Sequence, residues 1–108
     1  MVDLSEIKCE MDEGRMFLLN EDEIDELLKQ VWGWRIEDDF LLKEYAFPSL
    51  VSGLAFANKI AMIASQENQN PKILLQNEKV EVYLQTNQLE GLSRNDFIFA
   101  SKIDKLLR

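Results

Sequence analysis

Apolar residues recur at helical spacing in three stretches of the chain and at strand spacing in four. The first helical stretch begins at Asn20, whose side chain can accept from the first turn, and Glu23 follows as in a capping box. Gly33 marks the end of this helix. Its apolar stripe consists of Ile24, Leu27, Leu28 and Val31. Residues 1–19 show no clear period, so we predict a flexible or loosely docked N-terminal segment over 1–19 and a folded domain over 20–108.

A hairpin and a second helix follow. Residues 34–37 and 40–47 are predicted as strands, and the two aspartates between them are typical of a tight turn. Pro48 comes next, where a first helical turn tolerates proline, and residues 49–66 are apolar at most positions. Their narrow polar stripe consists of Ser52, Lys59 and Gln66. A helix that is apolar on most sides must be covered on most sides, so we expect part of it to form a subunit interface.

Two further strands precede the last helix. Residues 73–76 form one strand, and residues 79–85 alternate between two faces. One face carries Val80, Val82 and Leu84, and the other carries Lys79, Glu81, Tyr83 and Gln85. Ser93 then caps the last helix, with Asp96 at its third position. The order α-β-β-α-β-β-α predicts an α+β fold in which an antiparallel sheet has its helices on one face.

Charge is distributed unevenly along this 108-residue chain, whose formal net charge is -8. Residues 1–39 hold 13 acidic and 4 basic side chains (4 − 13 = −9), and residues 40–108 hold 7 acidic and 8 basic (8 − 7 = +1). A direct nucleic-acid role is disfavoured, because phosphate binding needs a basic surface. The acidic third is either a solvated helix face or a contact for a basic patch of a partner.

Cysteine and histidine usage limits the chemistry further. Cys9 is the single cysteine, so it cannot form an internal disulfide, and the chain has no histidine. No metal site is therefore expected.

No apolar run reaches the length of a membrane span, and the N-terminus lacks the basic and apolar regions of a signal peptide. We expect a cytoplasmic protein without a membrane contact.

Four short motifs carry a resemblance to a known family. They are Asn68-Gln69-Asn70-Pro71, Lys79-Val80, Thr86-Asn87 and Gly91-Leu92-Ser93. Together they resemble the pterin-4a-carbinolamine dehydratase family, whose pattern fits this chain from Tyr45 to Ile103 without a gap. The resemblance implies a four-stranded antiparallel sheet backed by three helices. It also implies a homodimer or a homotetramer.

The site of the family is the place where this chain departs from the pattern. The family has histidines before the proline and after the threonine, and these former pterin-site positions are here Gln69, Asn70 and Asn87. Dehydration of a 4a-hydroxytetrahydropterin needs proton transfer, which imidazole can perform near neutral pH and amide side chains cannot. We therefore expect no catalytic residue and no cofactor. Glu67 and Glu90 lie nearby in sequence and are the alternative proton-transfer groups, but we expect them to be solvated loop carboxylates.

Three functions remain open at this point. The segment from Gly91 to Ile98, continuing to Asp104, is similar to the α-carboxysome Rubisco assembly factors, a branch of the family with eroded site residues. That resemblance implies a non-catalytic, carboxysome-associated chaperone that binds the Rubisco large subunit. Its candidate partner-binding residues are Lys79, Glu81, Tyr83 and Gln85. The alternatives are a divergent dehydratase and a dimerisation cofactor of a regulatory protein.

Overall fold

Three helices pack against one face of a four-stranded antiparallel sheet in the computed structural model, which describes residues 3–107. The predicted order α-β-β-α-β-β-α is confirmed. The elements are α1 (Glu21–Leu28), β1 (Arg35–Glu37), β2 (Phe40–Ala46), α2 (Leu50–Glu67), β3 (Lys72–Gln76), β4 (Lys79–Leu84) and α3 (Arg94–Lys105). Short 3-10 helices at Leu4–Glu6, Glu13–Arg15 and Asn87–Leu89 complete the described chain.

The sheet has the strand order β1-β2-β4-β3, so the two longest strands lie at its centre. Tyr45 of β2 pairs with Val80 of β4, and both side chains point into the core. The turn between β1 and β2 places Asp38 and Asp39 at φ 50° and 64°. Two successive residues with positive φ match the twist of a two-residue hairpin, a conformation that aspartate tolerates.

Helix α1 is shorter than predicted. Its capping box between Asn20 and Glu23 is confirmed, but the helix ends at Leu28 instead of near Gly33. The chain then forms a tighter turn, in which the backbone N–H of Val31 donates to the carbonyl of Leu28. Gly33 adopts φ 86° before β1. Val31 is buried all the same. The apolar spacing predicted a helix that is too long, because Val31 has the spacing of a buried helical residue but is buried from a turn.

Helix α2 begins one residue later than predicted, at Leu50, and Ser49 is its N-cap. Pro48 therefore precedes the cap and does not occupy the first turn. The helix crosses the sheet closely at Gly53, where a Cβ atom would lie 3.1 Å from Val80 Cγ2. One face of α2 lies in the core, and the other exposes large apolar side chains, among them Val51 at 78% and Met62 at 66%. Among residues 3–107, no helix has the length and apolar character needed to cross a bilayer.

The N-terminal segment lies against α3. Leu4 and Cys9 are buried, and the backbone N–H of Glu10 donates to Asn95 Oδ1 at 2.7 Å. The backbone N–H of Leu19 donates to the carbonyl of Leu92 at 2.9 Å. The domain boundary at residue 19 stays a prediction.

The C-terminal end of α3 is fixed by the carboxylate of Asp104. This carboxylate accepts hydrogen bonds from Trp34 Nε1 at 2.9 Å, Lys43 Nζ at 3.0 Å and Tyr45 Oη at 2.5 Å. Burial, followed by the neighbouring Asp104, raises the pKa of Tyr45, so the phenol stays a donor. The cluster joins α3 to β2 and to the residue before β1.

The substitution Asp104→Ala should lower the free energy of unfolding by about 2–3 kcal/mol, because it leaves the Trp34 and Tyr45 donors without an acceptor and the half-buried ammonium of Lys43 without its counter-charge. Urea unfolding monitored by circular dichroism measures the loss. The matched control is Asp25→Ala at an exposed position of α1, which should change stability by less than about 0.5 kcal/mol. Equal stability of the two variants would show that the cluster contributes nothing.

Candidate functional site

The structure brings Gln69, Asn70 and Asn87 together in one small cleft. Four parts of the chain form it: the loop after α2, the end of β4 with the following 3-10 helix, the start of α3, and the N-terminal segment. The described residues that line the cleft are Met16, Asn68, Gln69, Asn70, Gln85, Thr86, Asn87, Gln88 and Asn95. Amide side chains therefore dominate the walls, and none of these nine residues carries a group that titrates near neutral pH.

The local backbone conformation places Gln69, Asn70 and Asn87 at the cleft. Asn68 ends α2 in the left-handed conformation, at φ 55°, and turns the chain so that Gln69 and Asn70 face the cleft. On the other side, Thr86 and Gly91 form an isolated β-bridge that closes the loop carrying Asn87. The Gln69 side chain donates to the carbonyls of Glu67 and Asn68, both at 3.3 Å. Part of its hydrogen-bonding capacity is thus used within its own loop.

The cleft is too small for a bicyclic ligand in this conformation. Its volume is about 10 Å³, which is room for roughly one water molecule. Ligand sites usually measure about 300–1,000 Å³. Met16 closes the cleft on the side of the N-terminal segment. The sequence did not predict Met16 and Asn95 as lining residues, because Met16 lies in a stretch without periodicity and Asn95 entered only as part of the Gly91–Ile98 segment.

A buried carboxyl lies directly behind the cleft wall. Asp96 Oδ2 accepts from Thr86 Oγ1 at 2.8 Å and from the backbone N–H of Ser93 at 2.9 Å. Burial raises the pKa of Asp96 to about 6, and the hydrogen bonds from Ser93 and Thr86 oppose that rise. Asp96 is separated from the cleft by the Thr86 side chain and forms the capping box of α3 with Ser93. Its first role is therefore structural.

The expectation for Glu67 is wrong. Glu67 is 5% exposed and forms an ion pair with Lys102 of α3, so it is not a solvated loop carboxylate. The last turn of α2 turns this side chain towards α3 and away from the cleft. Glu90 is exposed, as predicted, and neither carboxylate lines the cleft.

Cys9 is a core residue and not a nucleophile. Its thiol donates weakly to the carbonyl of Asn95 at 3.7 Å. Burial, followed by the negative charge of Glu67, raises the pKa of Cys9 to about 12. The thiol therefore stays protonated near neutral pH.

The candidate partner-binding residues lie on the sheet face opposite the helices. Lys79 Nζ lies 3.8 Å from Glu81 Oε1 and 3.9 Å from Glu44 Oε2, so its charge is shared between two carboxylates. The Tyr83 ring meets Phe40 edge to face, with centroids 6.2 Å apart. Gln85 lies apart from them: its side chain donates to the carbonyl of Asp39 and also lines the cleft. The first three thus form one surface, which we call the outer sheet face.

Comparison with known proteins agrees with this architecture. The family model described as pterin 4 alpha carbinolamine dehydratase matches residues 18–106. A protein of Nitrosospira multiformis named "Putative pterin-4-alpha-carbinolamine dehydratase" is 37% identical over 98% of this chain and 94% of its own length. A Rickettsia canadensis protein of the same name is 42% identical, covering 96% of this chain and 97% of its own.

The fold has a close match among solved structures. The crystal structure of a transcriptional coactivator/pterin dehydratase from Brucella melitensis superposes with a TM-score of 0.79 at 23% identity, over 83% of this chain and 98% of that one. At this identity the similarity concerns the fold alone. The family match and the sequence relatives decide membership: the chain belongs to the pterin-4a-carbinolamine dehydratase family.

The raised pKa of Asp96 predicts a pH-dependent stability. The folded state holds this proton more tightly than the unfolded state, whose pKa is near 3.8. The stabilisation is therefore complete below about pH 4 and is lost as the pH rises through 6, by up to about 3 kcal/mol. Asp96→Asn should remove this dependence. The free energy of unfolding in urea, measured from pH 4 to 7, gives the difference between the two proteins.

Asp25→Asn controls for the change in net charge, because it removes one carboxylate at an exposed position of α1. This variant should follow the wild-type protein across the same pH range. A constant difference between wild type and Asp96→Asn from pH 4 to 7 would contradict the prediction.

Proposed function

We propose that this protein acts by binding another protein and not by dehydrating a pterin. The observation that supports this most directly is the composition of the cleft. The chemistry of the family needs groups that exchange protons, and the described residues around Gln69, Asn70 and Asn87 offer amides, a hydroxyl and a thioether. The volume of about 10 Å³ points the same way, because a pterin ring does not fit.

The surface of the molecule supports a binding role. The exposed face of α2 carries four large apolar side chains: Leu50, Val51, Leu54 and Met62. Apolar side chains grouped on one helix face are typical of protein contacts. The outer sheet face adds a polar surface with one aromatic ring, Tyr83. In this proposal α2 contacts a second copy in a homodimer or homotetramer, and the outer sheet face contacts a different protein.

For the partner we propose the Rubisco large subunit, with the protein serving as an assembly factor in α-carboxysome biogenesis. The support is the resemblance of residues 91–104 to that branch of the family and the lining of the cleft, whose nine described residues carry no group that titrates near neutral pH. An assembly factor needs a surface that binds and releases a folding intermediate, which polar surfaces with few anchors provide. The protein would then reside in the cytoplasm and associate with carboxysomes.

The first test is enzymatic. The purified protein should dehydrate 4a-hydroxytetrahydropterin at least about 10²-fold more slowly than a histidine-bearing family member, because general acid–base catalysis is absent. The loss of absorbance of the carbinolamine measures the rate, and cooperative thermal unfolding confirms that the protein is folded. A rate comparable to that of the histidine-bearing enzyme would exclude the non-catalytic proposal.

The second test is assembly. Co-expression with the α-carboxysomal Rubisco subunits should increase the yield of assembled carboxylase on native gels. The double variant Lys79→Ala, Tyr83→Ala should weaken binding to the large subunit by about fivefold or more, as truncation of interface anchors typically does. The matched control is Lys105→Ala, which removes an exposed lysine at the end of α3. Identical yields with and without the protein would reject Rubisco as the partner.

Two alternatives have support of their own. The names of the relatives favour a divergent dehydratase, which the enzymatic test addresses. The Brucella melitensis protein is titled a transcriptional coactivator as well as a pterin dehydratase. A dimerisation cofactor of a regulatory protein would use the apolar face of α2 without touching DNA. Loss of partner binding on changing Val51 and Met62, but not Lys79 and Tyr83, would favour this role over the assembly factor.

A further inference from the structure

A second and much larger cavity lies between the N-terminal segment and the start of α3. Its volume is about 460 Å³, which is within the range of small-molecule sites. It is separate from the amide-lined cleft, and Met16 forms part of the wall of both. The family's site positions Gln69, Asn70 and Asn87 do not line it.

The chain roofs this cavity with a strap, residues 11–18, that is held at both ends. At one end the Asn95 side chain binds the backbone of Glu10, by a contact of 2.7 Å to its N–H and one of 2.8 Å from Asn95 Nδ2 to its carbonyl. At the other end the N–H of Leu19 donates to the carbonyl of Leu92 at 2.9 Å. Between these anchors the Glu13–Arg15 turn has no buried residue. The strap is therefore anchored at both ends, and it leaves the space below it unfilled.

The walls combine apolar surface with positive charge. Ile98 of α3, together with Ile7 and Leu19, provides an apolar lining. Phe17 lies at the edge with 73% of its surface exposed, so a ligand in the cavity could cover the ring. Burial of such apolar area contributes about 25 cal/mol per Å².

The positive charge comes from Lys8, Arg15 and Arg94. Lys8 and Arg94 form no ion pair with any residue of the described range 3–107. Two carboxylates, Glu10 and Glu23, also line the cavity; each accepts one backbone N–H and keeps its negative charge. The lining thus holds three cations and two carboxylates (3 − 2 = +1), in a protein whose net charge is -8. The first turn of α3 adds little, since the N–H groups of Asn95 and Asp96 already donate to Ser93.

We infer that this cavity binds a small amphipathic anion: an apolar body of moderate size that carries one carboxylate or phosphate group. The apolar body lies against Ile98 and Leu19 beneath the strap, and the anionic group lies between Lys8 and Arg94. Such a site is independent of the proposed protein-binding function, because it uses neither the outer sheet face nor the exposed face of α2.

Titration of ¹⁵N-labelled full-length protein with octanoate and with octyl phosphate tests the inference. The expected result is saturable chemical-shift change at the backbone amides of Ile7, Leu19 and Ile98, with millimolar or tighter affinity for at least one of the two anions. The anion that binds more tightly identifies the head group. Octanamide has the same apolar chain without the charge and should bind at least about fivefold more weakly.

The double variant Lys8→Gln, Arg94→Gln should raise the Kd of the preferred anion by about fivefold or more, while leaving the affinity for octanamide unchanged. The matched control is Lys59→Gln, Lys72→Gln, which removes two exposed positive charges elsewhere and should keep wild-type affinity. Thermal unfolding checks that all variants are folded. The inference fails if neither anion binds, if octanamide binds as tightly, or if the shifts lie on α2 instead.

Discussion

Three polar side chains on α3 fix the position of this helix in the fold, and we call them its anchors. Asp96 at its start binds Thr86, Lys102 in its last turns pairs with Glu67 of α2, and Asp104 near its end accepts from Trp34 and Tyr45. Each anchor joins α3 to a different part of the fold. Apolar packing alone tolerates some sliding of a helix, whereas a shift by one turn would leave buried charged groups without partners. The anchors therefore fix the position of α3 relative to the sheet and to α2.

The amide-lined cleft follows from this constraint. Thr86 is both the hydrogen-bond partner of Asp96 and a wall of the cleft, and Asn95 belongs to the first turn of α3. Asn68 turns the chain because it is the left-handed end of α2. These residues would shape the same cleft whether or not it performed chemistry. The shape of the cleft is thus a consequence of how α2 and α3 are placed.

The sequence predicted the fold better than the site, for a physical reason. Alternation in β4 and the capping boxes at Asn20 and Ser93 are local signals, and the structure confirms them. The end of α1 and the burial of Glu67 depend on contacts with residues far along the chain, which periodicity does not report. The family resemblance pointed to the cleft positions but not to the closure of the cleft by Met16. Met16 is placed by the hydrogen bonds of Glu10 with Asn95 and of Leu19 with Leu92.

The N-terminal segment contributes both to the core and to a cavity. Its burial of Leu4 and Cys9 makes it part of the core, yet residues 11–18 leave a space beneath them that the protein does not fill. A segment that served stability alone would gain more by packing Phe17 inward than by exposing it to water. The structure combines firm anchors, an open cavity and unpaired cations in one place. That combination is more readily explained by an occupant than by packing, and it concerns a cavity other than the amide-lined cleft.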